Sequence, residues 1–90
     1  MKIKIHNNDI SESVKINKSI AIDTETMGLN PLRDRLCLVQ ISKGNGLCHL
    51  IKLKSNSPKP KNLIKILKNK KILKIFHYAR FDVTILNYNF

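Results

Sequence analysis

Acidic residues are scarce in this chain of 90 residues: Asp and Glu number 6 against 17 Lys and Arg, a formal net charge of +11. No apolar run reaches the roughly 18 residues that a membrane-spanning helix needs. Residues 1–9 lack the apolar centre of a secretory signal, so a cytosolic (cytoplasmic) location without membrane contact is expected. The 2 cysteines, Cys37 and Cys48, are too few and too isolated for a disulfide framework, and neither belongs to a CxxC pair. His6, His49 and His77 do not stand at zinc-ligand spacing with them, which leaves two core thiols in a reducing compartment. No internal repeat is present, so repeat architectures are excluded. The length allows one domain at most, with a modest core.

What the chain does have is positive charge. Lys and Arg release counterions from phosphate backbones, so the excess points toward nucleic acid. An AT-rich gene would give the same excess without selection for binding, because Lys, Ile and Asn fill 37 of the 90 positions.

Hydrophobic patterning predicts an α/β chain. Lys2 to His6 alternates as a short strand. Asp9 followed by Glu12 is a capping-box pattern, predicting a short helical turn over "ISESVKI". Ser19 to Glu25, "SIAIDTE", is an apolar, β-branched run that predicts a buried strand, broken by Gly28, Asn30 and Pro31. Leu36 to Ser42 and residues 47–53 predict two strands joined by the turn "KGNG" into a hairpin. After the polar loop 54–60, Pro60 suits the start of a helix, and Leu63, Ile64, Ile66 and Leu67 recur at helical spacing with lysines opposite. Ile72 to His77 predicts a further strand, and Ala79 to about Tyr88 a second helix. If 72–77 lies parallel to and beside 19–25, their carboxyl ends share one edge of the sheet, where ligand sites of such sheets lie.

Two clusters carry chemistry. Asp23 and Glu25 are two apart, so on a strand they face the same way. Two carboxylates that close repel each other and resist burial unless a cation neutralises them. A hard divalent ion such as Mg²⁺ or Mn²⁺ suits oxygen donors; a solvated strand end satisfies the spacing equally. In "FHYARFDVTIL", residues 76–86, Asp82 falls in the first turn of a predicted helix, where the dipole favours a carboxylate whatever its role.

"DTETMGL" with "NPLRDRLCLVQIS" behind it resembles the first exonuclease motif of the DEDD superfamily, and "FHYARFD" resembles the second. The combination looks most like the ribonuclease D type of 3′–5′ exonuclease, over nearly the whole chain but only the first part of that family's catalytic domain. The resemblance implies a ribonuclease H-like mixed sheet: a three-stranded antiparallel meander extended by a parallel strand, with flanking helices, truncated here before the last strand.

The resemblance also implies hydrolysis with two divalent metal ions, Mg²⁺ or Mn²⁺, that removes nucleotides from the single-stranded 3′ end of RNA, with DNA as the other candidate. Asp23 would bridge both metals, Glu25 would hold one and approach the 3′-OH, and Asp82 would anchor the other through water. Thr24, Met27, Gly28, Leu29, His77 and Arg80 would contact substrate, Met27 or Leu29 packing on the last base. Read from the residues alone, Met27 and Leu29 also suit loop packing, His77 an internal hydrogen bond, and Arg80 solvent. Arg33 and Arg35 would form a basic rim or pair with Asp34.

Many family members have an Asn in the second motif where this chain has His77 and Tyr78. No acidic residue follows Asp82, and the third motif, with its fourth carboxylate and a water-positioning Tyr or His, is not found. Residues 1–90 are thus expected to be a partial exonuclease domain, with little or no activity alone and in need of a complementing C-terminal segment. The competing expectation is a non-catalytic nucleic-acid-binding remnant of a truncated or split gene.

Overall fold

The computed structural model describes residues 2–16, 18–26, 35–76 and 79–90, with Ala79 and Arg80 described by backbone alone. The elements run β1 (Lys2–Asn7), β2 (Ser19–Thr26), β3 (Leu36–Ser42), β4 (Leu47–Lys52), α1 (Lys61–Lys68), β5 (Leu73–Phe76) and α2 (Ala79–Asn89). The strands form one sheet in the order β1-β4-β3-β2-β5. Strands β2, β3 and β4 make the expected antiparallel meander. β5 runs parallel to β2, with Ser19 opposite Leu73 and Ile22 opposite Phe76. β1 closes the other edge, parallel to β4. The β3–β4 turn needs the left-handed backbone that glycine adopts without a Cβ clash: Gly44 and Gly46 both have φ of 80°.

Strand alternation divides the sheet into two faces. On one, Ile20 and Ile22 of β2, Val39 and Ile41 of β3 and Ile51 of β4 meet Leu63 of α1 and Ile85 and Leu86 of α2, with Ile10 and Ile72 completing the core. Helix α1 buries its apolar stripe and leaves Lys61, Lys65 and Lys68 in solvent, as its spacing predicts. The register puts Ile3 and Ile5 of β1, Ala21, Asp23 and Glu25 of β2, Gln40 of β3 and Ile75 of β5 on the opposite face. No described helix covers that face.

The segment after β1 departs from expectation. Residues 10–16 form no helix; Val14 N–H closes a turn onto Ser11 O at 3.1 Å. Asp9 instead caps α1, more than 50 residues away in sequence. Its Oδ2 accepts from Asn62 N–H and its Oδ1 from Leu63 N–H, both at 2.9 Å, and Oδ1 also accepts from Ile10 N–H at 2.8 Å. Pro60 stands at the N-cap and offers no side-chain cap, so the helix's free N–H groups take a carboxylate from another part of the chain.

Candidate active site

β2 brings "DTE" to its carboxyl end. Alternation exposes Asp23 and Glu25 on the open face and turns Thr24 into the covered one, where it is 8% exposed. Asp23 Oδ1 accepts the backbone N–H of Thr24 at 3.0 Å. The register shifts between Glu25 and Thr26, whose partners are Leu38 and Leu36. Cys37, passed over by this shift, donates its thiol to Glu25 O at 3.2 Å. Such irregularities bend a strand and re-aim the side chains beside them. Asp23 also borders a cavity of about 310 Å³ on the open face, lined by Ala21, Gln40, Ser42 and Ile75 among others.

Asp82 lies in the first turn of α2, as expected, and is 1% exposed. The Thr24 hydroxyl donates to its Oδ1 at 2.5 Å. Its Oδ2 is buried without a hydrogen-bond partner among the described residues, a state native proteins rarely leave uncompensated. The third carboxylate therefore reaches β2 at the residue between the other two, but from the covered side of the sheet. Among the described residues, no three His, Cys, Asp or Glu side chains group closely enough to hold a metal ion directly.

Of the expected substrate contacts, Thr24 is turned inward onto Asp82. Met27, Gly28, Leu29 and His77 lie outside the described residues, and Arg80 is described by backbone alone. Arg33 and Asp34 also lie outside them; Arg35 donates Nη1–H to Leu53 O at 2.7 Å.

The donor chemistry fits a hard divalent cation. Two carboxylates share an exposed face at a strand end, and a third has a buried oxygen without a donor among the described residues.

Sequence reasoning missed a buried pair away from this site. His6 Nε2 and His49 Nδ1 lie 2.9 Å apart, and His6 Nδ1 accepts from Ser11 N–H at 3.3 Å. That acceptor role puts the His6 proton on Nε2, which donates to His49 and leaves His49 Nε2 buried without a partner among the described residues. Burial holds the pKa of both rings below the usual value; Lys4 pushes His6 further down, and His6, Lys43 and Lys4 do the same to His49, while Asp9 opposes the shift at His6. Sequence spacing carries no signal for this pair, because the rings meet only through the parallel β1–β4 register.

Comparison with known proteins gives a consistent result. Residues 2–90 match a family described as 3′–5′ exonuclease. Brucella melitensis NrnC aligns over 100% of this chain and 45% of its own, at 47% identity and a TM-score of 0.92. The same figures hold for NrnC with bound Mg²⁺ and for NrnC bound to pGG. Escherichia coli RNase D, an exoribonuclease involved in structured RNA processing, aligns over 78% of this chain and 18% of its own, at 26% identity and a TM-score of 0.63. The chain thus spans less than half the length of NrnC. A comparison with curated proteins finds no match. No helix among the described residues is long and apolar enough to cross a membrane.

Proposed function

This chain belongs to the DEDD-type 3′–5′ exonuclease family, and from that premise we propose that it forms the metal-carboxylate half of a cytosolic exoribonuclease that removes nucleotides from the 3′ end of single-stranded RNA. The observation that carries the reading is the placement of Asp23 and Glu25, exposed together on the open face, with Asp82 delivered to the intervening Thr24. Asp23 and Glu25 would hold divalent ions, Mg²⁺ or Mn²⁺, directly, and Asp82 would do so through water. Bound there, such ions lower the pKa of a water and stabilise the departing 3′ oxygen.

The chain's own residues do the rest. Asp23 and Glu25 present their oxygens to solvent on the face a strand must approach. Ala21 and Ile75 give the neighbouring cavity apolar walls against which a terminal sugar or base can pack. The Lys and Arg excess draws the phosphate backbone toward the protein. RNA is the proposed substrate because the RNase D relative is an exoribonuclease and NrnC was solved with pGG. A fourth carboxylate and a water-positioning Tyr or His would have to come from a complementing segment, equivalent to the part of NrnC that the chain does not span.

That no three-ligand group forms directly among the described residues favours a second reading, a nucleic-acid-binding remnant without catalysis. One experiment separates the two. Purified chain is given 5′-labelled single-stranded RNA and Mn²⁺, alone and with the polypeptide corresponding to the unmatched part of NrnC. Shortening from the 3′ end in the mixture, abolished by Asp23→Ala, is the expected result. RNA binding without shortening under either condition would leave the remnant reading standing instead.

A further inference from the structure

We infer that Thr24 is a positioning residue, whose hydroxyl sets the Asp82 carboxylate for the divalent-ion site; the inference rests on the exonuclease reading above. Thr24 stands between Asp23 and Glu25 and is turned to the other side of the sheet. There it gives Asp82 its hydrogen bond, from Oγ1 to Oδ1 at 2.5 Å. A carboxylate 1% exposed is costly to bury unless its oxygens find donors. The hydroxyl satisfies one oxygen and leaves Oδ2 buried without a partner among the described residues. One oxygen is fixed and the other is open to a further donor, which a metal-bound water would supply.

The coupling is geometric. Asp23, Thr24 and Glu25 are consecutive on one paired strand, held against β3 from Asp23–Gln40 to Glu25–Leu38. Whatever fixes Asp82 to Thr24 therefore fixes it relative to the two exposed carboxylates. A β-branched side chain suits this task, because its χ1 is stiff and holds the hydroxyl in one direction. Hydrogen-bond partners of metal-site carboxylates orient them, and losing one typically weakens metal affinity about 10- to 100-fold.

The test is Mn²⁺ binding by the full chain, read from the loss of the free-Mn²⁺ electron paramagnetic resonance signal, with a thermal melt of each variant alongside. Thr24→Val keeps the shape and removes the donor; binding should weaken by about 10- to 100-fold. Thr24→Ser keeps the hydroxyl and should recover wild-type affinity. In an Asp82→Ala background, Thr24→Val should change nothing further. If Val is not tolerated, Thr24→Cys, a weaker donor, should fold and give a smaller loss. Thr24→Val binding as wild type, or more tightly because the hydroxyl holds Asp82 away from the ion, would overturn the inference. So would an equal weakening with Asp82 already removed. Loss of Mn²⁺ in Asp23→Ala but not in Thr24→Val would sink this inference and spare the exonuclease reading. A wild-type chain that binds no Mn²⁺, alone or with the polypeptide corresponding to the unmatched part of NrnC, would sink both.

Discussion

On the covered face of the sheet, Val39, Ile41 and Ile51 are wholly excluded from solvent, whereas Ile3, Ile5, Leu73 and Ile75 each leave more than half of their surface exposed. The register assigns these exposed residues to the open face. β2 belongs to both regions at once: Ile20 and Ile22 build the core, while Ala21, Asp23 and Glu25 face outward. The contrast teaches where stability and chemistry lie. The covered face is held by burial of apolar area and by satisfied backbone groups. The open face combines unburied apolar side chains with two carboxylates, a composition typical of a surface that receives a partner or a ligand.

Substitutions on each face test the contrast. The largest loss is expected from Ile51→Ala, which opens a cavity in the covered face and should cost about 3 kcal/mol in urea unfolding followed by circular dichroism. Asp9→Ala removes the acceptor of two backbone N–H groups at the start of α1, Asn62 and Leu63, and of its neighbour Ile10 N–H. It should cost about 1 to 2 kcal/mol by the same measurement.

A smaller effect is expected from pH. Both His6 and His49 are held below their usual pKa in the folded chain, so the unfolded chain takes up protons first as pH falls. Stability should be fully present above about pH 6.5, the value of a free histidine, and should decline below it toward the depressed folded values. Urea midpoints at pH 7.5 and pH 5 should differ in that sense, and His49→Gln should narrow the difference. A midpoint that rises on acidification would contradict the assigned proton positions.

The smallest stability change is expected from Ile75→Thr on the open face, within about 0.5 kcal/mol of wild type. Its effect should appear in sedimentation instead, as less self-association at high concentration. A loss equal to that of Ile51→Ala would mean the two faces do not differ as described.

Much of this architecture is legible in the residues. Alternation in "SIAIDTE" and "LCLVQIS", the glycines at 44 and 46, and the helical spacing of Leu63, Ile66 and Leu67 are local patterns, and each element formed close to its expected bounds. The parallel placement of β5 beside β2 follows from a helical crossover of ordinary length. The capping-box pattern at Asp9 misled because local spacing names a capping residue without saying which helix it caps. Its motif implies a substrate contact for Thr24. Strand parity already turned it away from Asp23 and Glu25, but nothing local said that Asp82 would meet it there.

Apart from the turn expected over residues 10–16, the order of elements, the residues of each strand that share a face, and the pairing of Asp23 with Glu25 are local consequences of the residues. That Asp9 caps α1, that His6 pairs with His49 across 43 residues, and that Asp82 binds Thr24 across 58 came from the packing of the whole chain. The reason is physical. Periodicity fixes the side on which a residue emerges, because backbone geometry is local. What it meets there depends on how distant segments pack, and no local pattern encodes that.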